Sequence, residues 1–281
     1  MPSHRLKQIE TEYFSVKGYS VAGEETVIAL PELDVCFDIG KAPDQVININ
    51  NILLSHGHID HAAGLAYYLS HRVFCGQQPG TIYLPEGIVD PVKQIIDAWG
   101  VLDGSRIRAE IIPVKDGDDF MLRRDLKLKV FDTNHNRNSV GYTLVEVRKK
   151  LKSEYYGKTG RELKELKSQG IDIEYMIEIP IVTYTGDTCC CDYSYLDYVK
   201  NSKVLIIECT FFEQDHIDRA KAGKHIHINN LADVLTKLNN EQIILTHLSQ
   251  RTHIKDAKVL LSKKLPPEIM SKITILMGYN R

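Results

Sequence analysis

Ser55-His56-Gly57-His58-Ile59-Asp60-His61 puts three imidazoles and a carboxylate within six residues, straight after the apolar run Ile52-Leu53-Leu54. Neutral imidazole and carboxylate are ligands for zinc and related divalent ions. Spacing this tight lets one loop serve two neighbouring metals, and a solvated loop has no need of the pattern HxHxDH. Three more residues of ligand type each follow a β-like run. His135 follows Val130-Phe131-Asp132-Thr133, His247 follows Ile243-Ile244-Leu245-Thr246, and Asp187 follows Ile181-Val182-Thr183-Tyr184-Thr185-Gly186. Gly186 gives the backbone the freedom to turn Asp187 toward such a centre. A chain built this way must gather several strand ends around one metal site.

The rest of the pattern supports a layered α/β fold. Short strands are predicted at Glu10 to Val16, Thr26 to Leu30, Val35 to Asp38 and Ile52 to Ser55. Helical spacing follows from Ala62 to Phe74. Asp90-Pro91 reads as an N-cap with proline at the first helical position, opening a helix that ends near Gly100. Strands return over Asp119 to Val147, with clean alternation in Leu126 to Val130, and again at Ile179 to Tyr184, Val204 to Ile207 and Ile243 to Thr246. A helix is predicted from near Asn229, with Leu231, Val234, Leu235 and Leu238 on one face. Strands interleaved with helices, twice over, imply two sheets packed face to face with helices outside. With 281 residues, 43% of them hydrophobic, one domain over 1–281 is expected.

Lys+Arg number 35 against Asp+Glu 37, so the charge of the whole chain does not mark a nucleic-acid binder, and any basic surface must be local. One segment qualifies. Residues 148–170 read RKKLKSEYYGKTGRELKELKSQG, poor in apolar residues and rich in Lys and Arg, and are expected to form a protruding basic arm over about 148–174. The six cysteines include the run Cys189-Cys190-Cys191 but no CxxC pair, so they are read as reduced thiols rather than a zinc ribbon or disulfide framework. No stretch is apolar for long enough to span a membrane, and Met1-Pro2-Ser3-His4-Arg5 lacks the apolar run expected of a signal peptide. A soluble cytoplasmic enzyme is expected.

HxHxDH at 56–61, His135, Thr185-Gly186-Asp187-Thr188 and His247 together resemble the metallo-β-lactamase superfamily. The similarity is nearest to the short form of tRNase Z, of the plant-like type. Phe37-Asp38-Ile39-Gly40, Glu208-Cys209-Thr210-Phe211, His225-Ile226-His227 and Thr246-His247-Leu248-Ser249-Gln250-Arg251 carry that narrower likeness, where the family has pieces such as HEATF, HST and THFSQR. The resemblance implies an αββα sandwich of two mixed sheets with outer helices. It implies two Zn2+, or Mn2+ or another divalent metal, with His56, His58 and His135 on one, Asp60, His61 and His247 on the other, and Asp187 bridging. It implies removal of the 3′ trailer of precursor tRNA by a dizinc-bound hydroxide that Asp60 orients. His225 would be the general acid and Glu208 the carboxylate that orients it, with His227 the alternative acid two residues on. Lys149, Lys150, Lys152, Lys158, Arg161 and Lys164 would hold tRNA phosphates. Arg251 would contact a substrate phosphate or cap a helix C-terminus. A homodimer is expected. The PxKxRN loop of bacterial members is absent, since the corresponding region reads Gly18 to Gly23. The competing readings are a small-molecule metallohydrolase (phosphodiesterase, thioesterase or lactonase) and a catalytically silent RNA-binding protein. The full ligand set opposes the second.

Overall fold

A computed structural model describes residues 6–135 and 138–277. The expectation placed on Met1 to Arg5 lies outside them. The first sheet runs in chain order: β1 (Lys7–Glu10), β2 (Ser15–Val21), β3 (Glu25–Leu30), β4 (Val35–Ile39), β5 (Asn51–Leu53), β6 (Thr81–Pro85) and β7 (Glu110–Val114). The second also keeps chain order: β8 (Asp119–Arg123), β9 (Leu126–Asp132), β10 (Val140–Leu151), β11 (Glu174–Tyr184), β12 (Val204–Glu208), β13 (Gln242–Thr246) and β14 (Ile273–Ile275). Each sheet begins as an antiparallel meander and finishes with parallel strands. The change falls after β4 in the first and after β11 in the second. Parallel strands need crossovers, and helices supply most of them. The helices are α1 (Ile59–Ala62), α2 (Leu65–Phe74), α3 (Val89–Asp103), α4 (Gly160–Ser168), α5 (Asp197–Lys200), α6 (Ile217–Gly223), α7 (Ile228–Leu235), α8 (Ile254–Lys264) and α9 (Pro267–Met270), of which α4 alone joins an antiparallel pair, β10 and β11.

The alternation of apolar residues decides the layering. In β12, Val204 and Ile206 enter the core between the sheets, while Leu205 and Ile207 face the helices. Val35 and Phe37 in β4, against Cys36 and Ile39, divide in the same way. Strands covered on both faces read as continuous apolar runs. The expected αββα sandwich of two mixed sheets is the one observed.

Two local expectations shift. Glu10 to Val16 is not one strand, because Thr11 closes a turn onto Phe14 and separates β1 from β2. Asp90 is not the N-cap of α3. The helix starts two residues earlier, at Val89, out of a 3-10 turn at Glu86–Ile88, leaving Asp90 in the first turn, where its charge still suits the helix dipole. The helix also passes Gly100 and stops at Gly104, whose left-handed backbone forms the cap.

Beyond Val145 the β10–β11 pair leaves the core. The ladder continues to Leu151↔Glu174, with every residue there at least partly exposed. Helix α4 lies between the strands, opened by a capping box in which the Thr159 side chain takes the Glu162 N–H and Glu162 bonds back to the Thr159 N–H.

Candidate metal centre

The HxHxDH loop leaves β5 and turns into α1, and the other candidate ligands come from the second sheet. Gly186 holds φ +60° after β11, and a Cβ there would meet the Ser55 Cβ at 2.7 Å. Only glycine lets these two strand ends close up and still aim Asp187 inward. His247, straight after β13, also takes a left-handed backbone at φ +60°, which costs a residue with a Cβ about 1 kcal/mol or more. All seven expected ligands converge. Ligand atoms of His56, His58, His135 and Asp187 lie within 4.8 Å of one another, as do those of Asp60, His61 and His247. Asp187 stands between the groups. Its Oδ2 is 3.8 Å from His56 Nε2, 3.4 Å from His61 Nε2, 3.9 Å from His135 Nε2 and 3.3 Å from His247 Nε2.

The surrounding hydrogen bonds fix the tautomers. Asp38 is fully buried and accepts the Ser55 N–H (2.7 Å), the Ser55 hydroxyl, the Tyr184 hydroxyl (2.6 Å) and His61 Nδ1–H (2.7 Å). With its hydroxyl proton given to Asp38, Ser55 Oγ must accept from His56 Nδ1 at 3.0 Å. Thr210 Oγ gives its proton to Glu208 (2.6 Å) and so accepts from His247 Nδ1 (3.0 Å). His135 Nδ1 donates to the Lys224 carbonyl at 3.3 Å. In all four rings Nδ1 carries the hydrogen, and Nε2 turns a lone pair inward. Outer partners of this kind set the orientation and basicity of a metal-binding histidine.

A divalent cation fits these residues. His56 Nε2 and His61 Nε2 are buried with no hydrogen-bond partner. His135 Nε2 and His58 Nδ1 stand 3.1 Å apart with lone-pair character on the former. Buried acceptors crowded together without donors are costly unless a positive charge lies among them. The titration behaviour agrees. Burial and the neighbouring rings push His56 down, and burial likewise lowers His58 and His135. Burial also opposes charge on His61, but Asp187 and Asp38 outweigh it and hold its pKa well up. Asp187 and Asp60 are held low against burial chiefly by His247 and His61. The carboxylates thus demand positive charge at the centre of the cluster, which a proton on His61 meets poorly and a cation meets directly.

Beside the cluster, His225 Nδ1 lies 2.7 Å from Glu208 Oε1. Glu208 is fully buried and also accepts the Thr188 N–H (2.9 Å) and the Ile226 N–H (3.2 Å), so its geometry is fixed. With Nδ1 taken, His225 Nε2 has no hydrogen-bond partner among the described residues, and its ring stacks on His247 at 5.2 Å and tilts against His135 at 4.8 Å. Burial alone would lower its pKa, but the Glu208 carboxylate and Asp187 raise it to about 9. His227 is placed differently. It is buried as the N-cap of α7, with Nδ1 accepting the Asn229 N–H (3.2 Å) and Nε2 donating to the Glu213 carbonyl (3.0 Å). Both its nitrogens are committed away from the cluster. Asp60 Oδ2 accepts the Gly23 N–H at 2.8 Å, so the turn between β2 and β3 reaches the centre without a PxKxRN loop.

The remaining expected residues lie further out. Arg251 is exposed in the turn between β13 and α8, ahead of a helix N-terminus, and its side chain makes no hydrogen bond to a helix carbonyl among the described residues. Among the arm residues, Lys149 pairs with Glu174 (3.9 Å) and Lys152 with Asp172 (3.8 Å), acids carried by the opposite side of the hairpin. Lys150, Lys158, Arg161 and Lys164 pair with no described carboxylate within 4 Å. Asp38, Ser55, Tyr184 and Thr210 are parts of the site to which the sequence reading assigns no role, although Asp38, Ser55 and Thr210 lie inside the motifs quoted above. Asp38 also carries the same signal as the ligands, an acid following the β run Val35-Cys36-Phe37.

Residues 35–248 match the family model described as the beta-lactamase superfamily domain. The chain is 34% identical to tRNase Z TRZ1 of Arabidopsis thaliana over 276 residues, 97% of this chain and 98% of that one. The chain belongs to the tRNase Z family. It is also 31% identical to the chloroplastic tRNase Z TRZ2 of Arabidopsis thaliana, over 95% of this chain and 76% of that protein. Human tRNase Z, short form, shares the fold at a TM-score of 0.60 with 18% identity, over 84% of this chain and 93% of that one.

Proposed function

We propose that this protein is a metal-dependent endoribonuclease that removes the 3′ trailer of precursor tRNA. The observation that carries the reading is the buried Glu208 holding His225 over the edge of the His/Asp cluster at 2.7 Å. A hydrolase of small activated esters needs no such proton donor, whereas expulsion of a ribose 3′ oxygen does. The name that its Arabidopsis relatives bear points the same way.

His56, His58 and His135 would hold one divalent ion and Asp60, His61 and His247 a second, with Asp187 shared. Zinc is the ion that this imidazole and carboxylate set suits. Two such ions, when bound, lower the pKa of water and neutralise the phosphoryl oxygens. The chain's own residues do the rest. Asp60, fixed by the Gly23 N–H, orients the nucleophile and takes up its proton. Glu208 keeps His225 protonated at neutral pH and fixes its ring, so that Nε2–H is delivered to the leaving 3′ oxygen. The unpaired cations of the arm, Lys150, Lys158, Arg161 and Lys164, with Lys149, Lys152 and Arg251, hold backbone phosphates away from the scissile bond.

The same reading takes 1–281 as one domain with an arm at 148–174, supported by the continuous core between the sheets, which residues of both line. It includes a homodimer. Tyr67, Trp99 and Leu102 of α2 and α3 are exposed and line an apolar groove, a patch that suits a second protein surface. Six free cysteines suit a reducing compartment such as the cytoplasm, and no helix among the described residues is long and apolar enough to cross a membrane. The test is turnover of precursor tRNA beside bis(p-nitrophenyl) phosphate. Preferred, site-specific cleavage of the RNA is expected. Comparable or better turnover of the small diester, with no defined RNA product, would move the assignment to a small-molecule phosphodiesterase.

A further inference from the structure

The three consecutive cysteines that follow Asp187 have no part in the chemistry proposed above. Two of them meet: Cys189 Sγ and Cys191 Sγ are 3.6 Å apart. Both are half-buried, unlike Cys36 and Cys209, which are sealed in the core. Cys190, between them, is turned instead toward the Asn230 carbonyl, at 3.8 Å. The pair is therefore an accessible dithiol set apart from the other thiols. Its backbone is tied to the candidate centre on two sides. The Cys189 N–H donates to the Asn134 carbonyl at 2.9 Å, one residue from His135. The Thr188 N–H donates to Glu208 at 2.9 Å, and the Thr188 hydroxyl meets Tyr193 (2.8 Å) and Cys191 Sγ (3.9 Å).

We propose that Cys189 and Cys191 form a modification site that a hydroperoxide closes into an intramolecular disulfide. One sulfur attacks a peroxide oxygen and the O–O bond breaks, giving a sulfenic acid and one water or alcohol. The second sulfur displaces the hydroxyl, the S–S bond forms, and the displaced oxygen leaves as water with the second thiol proton. Two thiols are oxidised and one peroxide is reduced. A disulfide has its sulfurs at about 2.05 Å, so closure draws them together by roughly 1.5 Å. Because Cys189 and Thr188 anchor the Asn134 and Glu208 contacts, that movement is passed to His135 and His225. A ring spanning one intervening residue is held away from relaxed disulfide geometry, which makes the bond easily reduced and the modification reversible.

The chemistry of the pair is independent of the activity proposed above, while its effect on turnover rests on that activity. The test treats the metal-loaded full chain with hydrogen peroxide and follows free thiols, peptide masses and phosphodiester hydrolysis. Loss of two thiols per chain is expected, with a Cys189–Cys191 bridge inside one peptide, at least a several-fold fall in hydrolysis, and recovery of both with dithiothreitol. Cys191→Ser should keep basal hydrolysis, resist the peroxide and fail to retain phenylarsine oxide, which needs two adjacent sulfurs. Cys190→Ser should behave as the parent. A bridge to Cys190 or between chains, sulfinic acid at either position with no bridge, or equal peroxide loss in Cys191→Ser would overturn the site. A mapped bridge with unchanged hydrolysis, in protein that turns over substrate, would overturn its coupling to the centre.

Discussion

Replacing Lys150, Lys158, Arg161 and Lys164 together by Gln tests the arm, because these four cations are the ones no described carboxylate neutralises. Each phosphate contact contributes about 0.7–0.9 to the slope of log affinity against log salt. If all four touch backbone phosphates, the variant's slope is shallower by about 2.8–3.6. Between 50 and 200 mM salt the affinity gap between parent and variant should then shrink about 50- to 150-fold. The assay is equilibrium binding of precursor tRNA across that range, in a His225→Ala background to suppress cleavage, with KM measured in the active protein. A remote contact of this kind supplies binding, so KM should rise while hydrolysis of bis(p-nitrophenyl) phosphate stays level. Replacing Lys149, Lys152 and Lys167 should change the slope less, since Glu174 and Asp172 already engage them. An unchanged salt slope in folded, metal-loaded protein would refute the reasoning, as would an equal effect from the paired set.

Elemental analysis of protein purified without chelator should give two divalent ions per chain, and Asp187→Ala should lower that count and abolish turnover. His225→Ala should retain both ions yet slow RNA cleavage by roughly 10²- to 10⁴-fold, while His227→Ala should act mainly on stability through the lost N-cap, by about 1 kcal/mol; a larger rate effect at His227 would reverse the assignment. Asp38→Asn should weaken metal affinity by about 10- to 100-fold, measured by competition with a chelating dye, because His61 and, through Ser55, His56 lose the acceptor that orients them. Glu208→Gln removes the charge that raises the His225 pKa to about 9. His225 must be protonated to act as the acid, so the alkaline limb of the rate profile should move to lower pH in the variant; an unmoved limb would separate His225 from the proton transfer.

Much of this was legible in the chain because the fold repeats one signal. His135, Asp187 and His247 each follow a β run, and in an α/β sandwich the ends of parallel and central strands gather on one edge, where polar side chains can meet. Alternation in Leu126 to Val130 and the apolar runs of β12 and β13 placed three strands of the second sheet within a residue or two. What was not legible depended on contacts remote in sequence. Nothing local distinguishes Asp90 as a first-turn residue from an N-cap, because the preceding 3-10 turn is set by packing. The choice between His225 and His227 turns on Glu208, 17 residues away, and on the carbonyl of Glu213, 14 residues away. The basic run of the arm, read alone, overstated its free charge, since Asp172 and Glu174 approach only once β10 and β11 pair.

Thr210 shows how the two halves of the site are joined. Its single hydroxyl proton goes to Glu208, and its lone pair receives His247 Nδ1–H, so one small side chain sets the carboxylate that orients the proton donor and the tautomer of a candidate metal ligand. Asp38 plays the matching part on the other sheet, serving His61 directly and His56 through Ser55. The rings that face the centre are therefore not placed independently. Each sheet contributes one buried acid, and each acid fixes two histidines, one of them in each sheet through a hydroxyl. An arrangement with so few independent parts has little room to tilt a single ring, and a change at either acid must reach two rings at once. This is the expected behaviour of a centre whose geometry, rather than the basicity of any one residue, has to be kept for turnover.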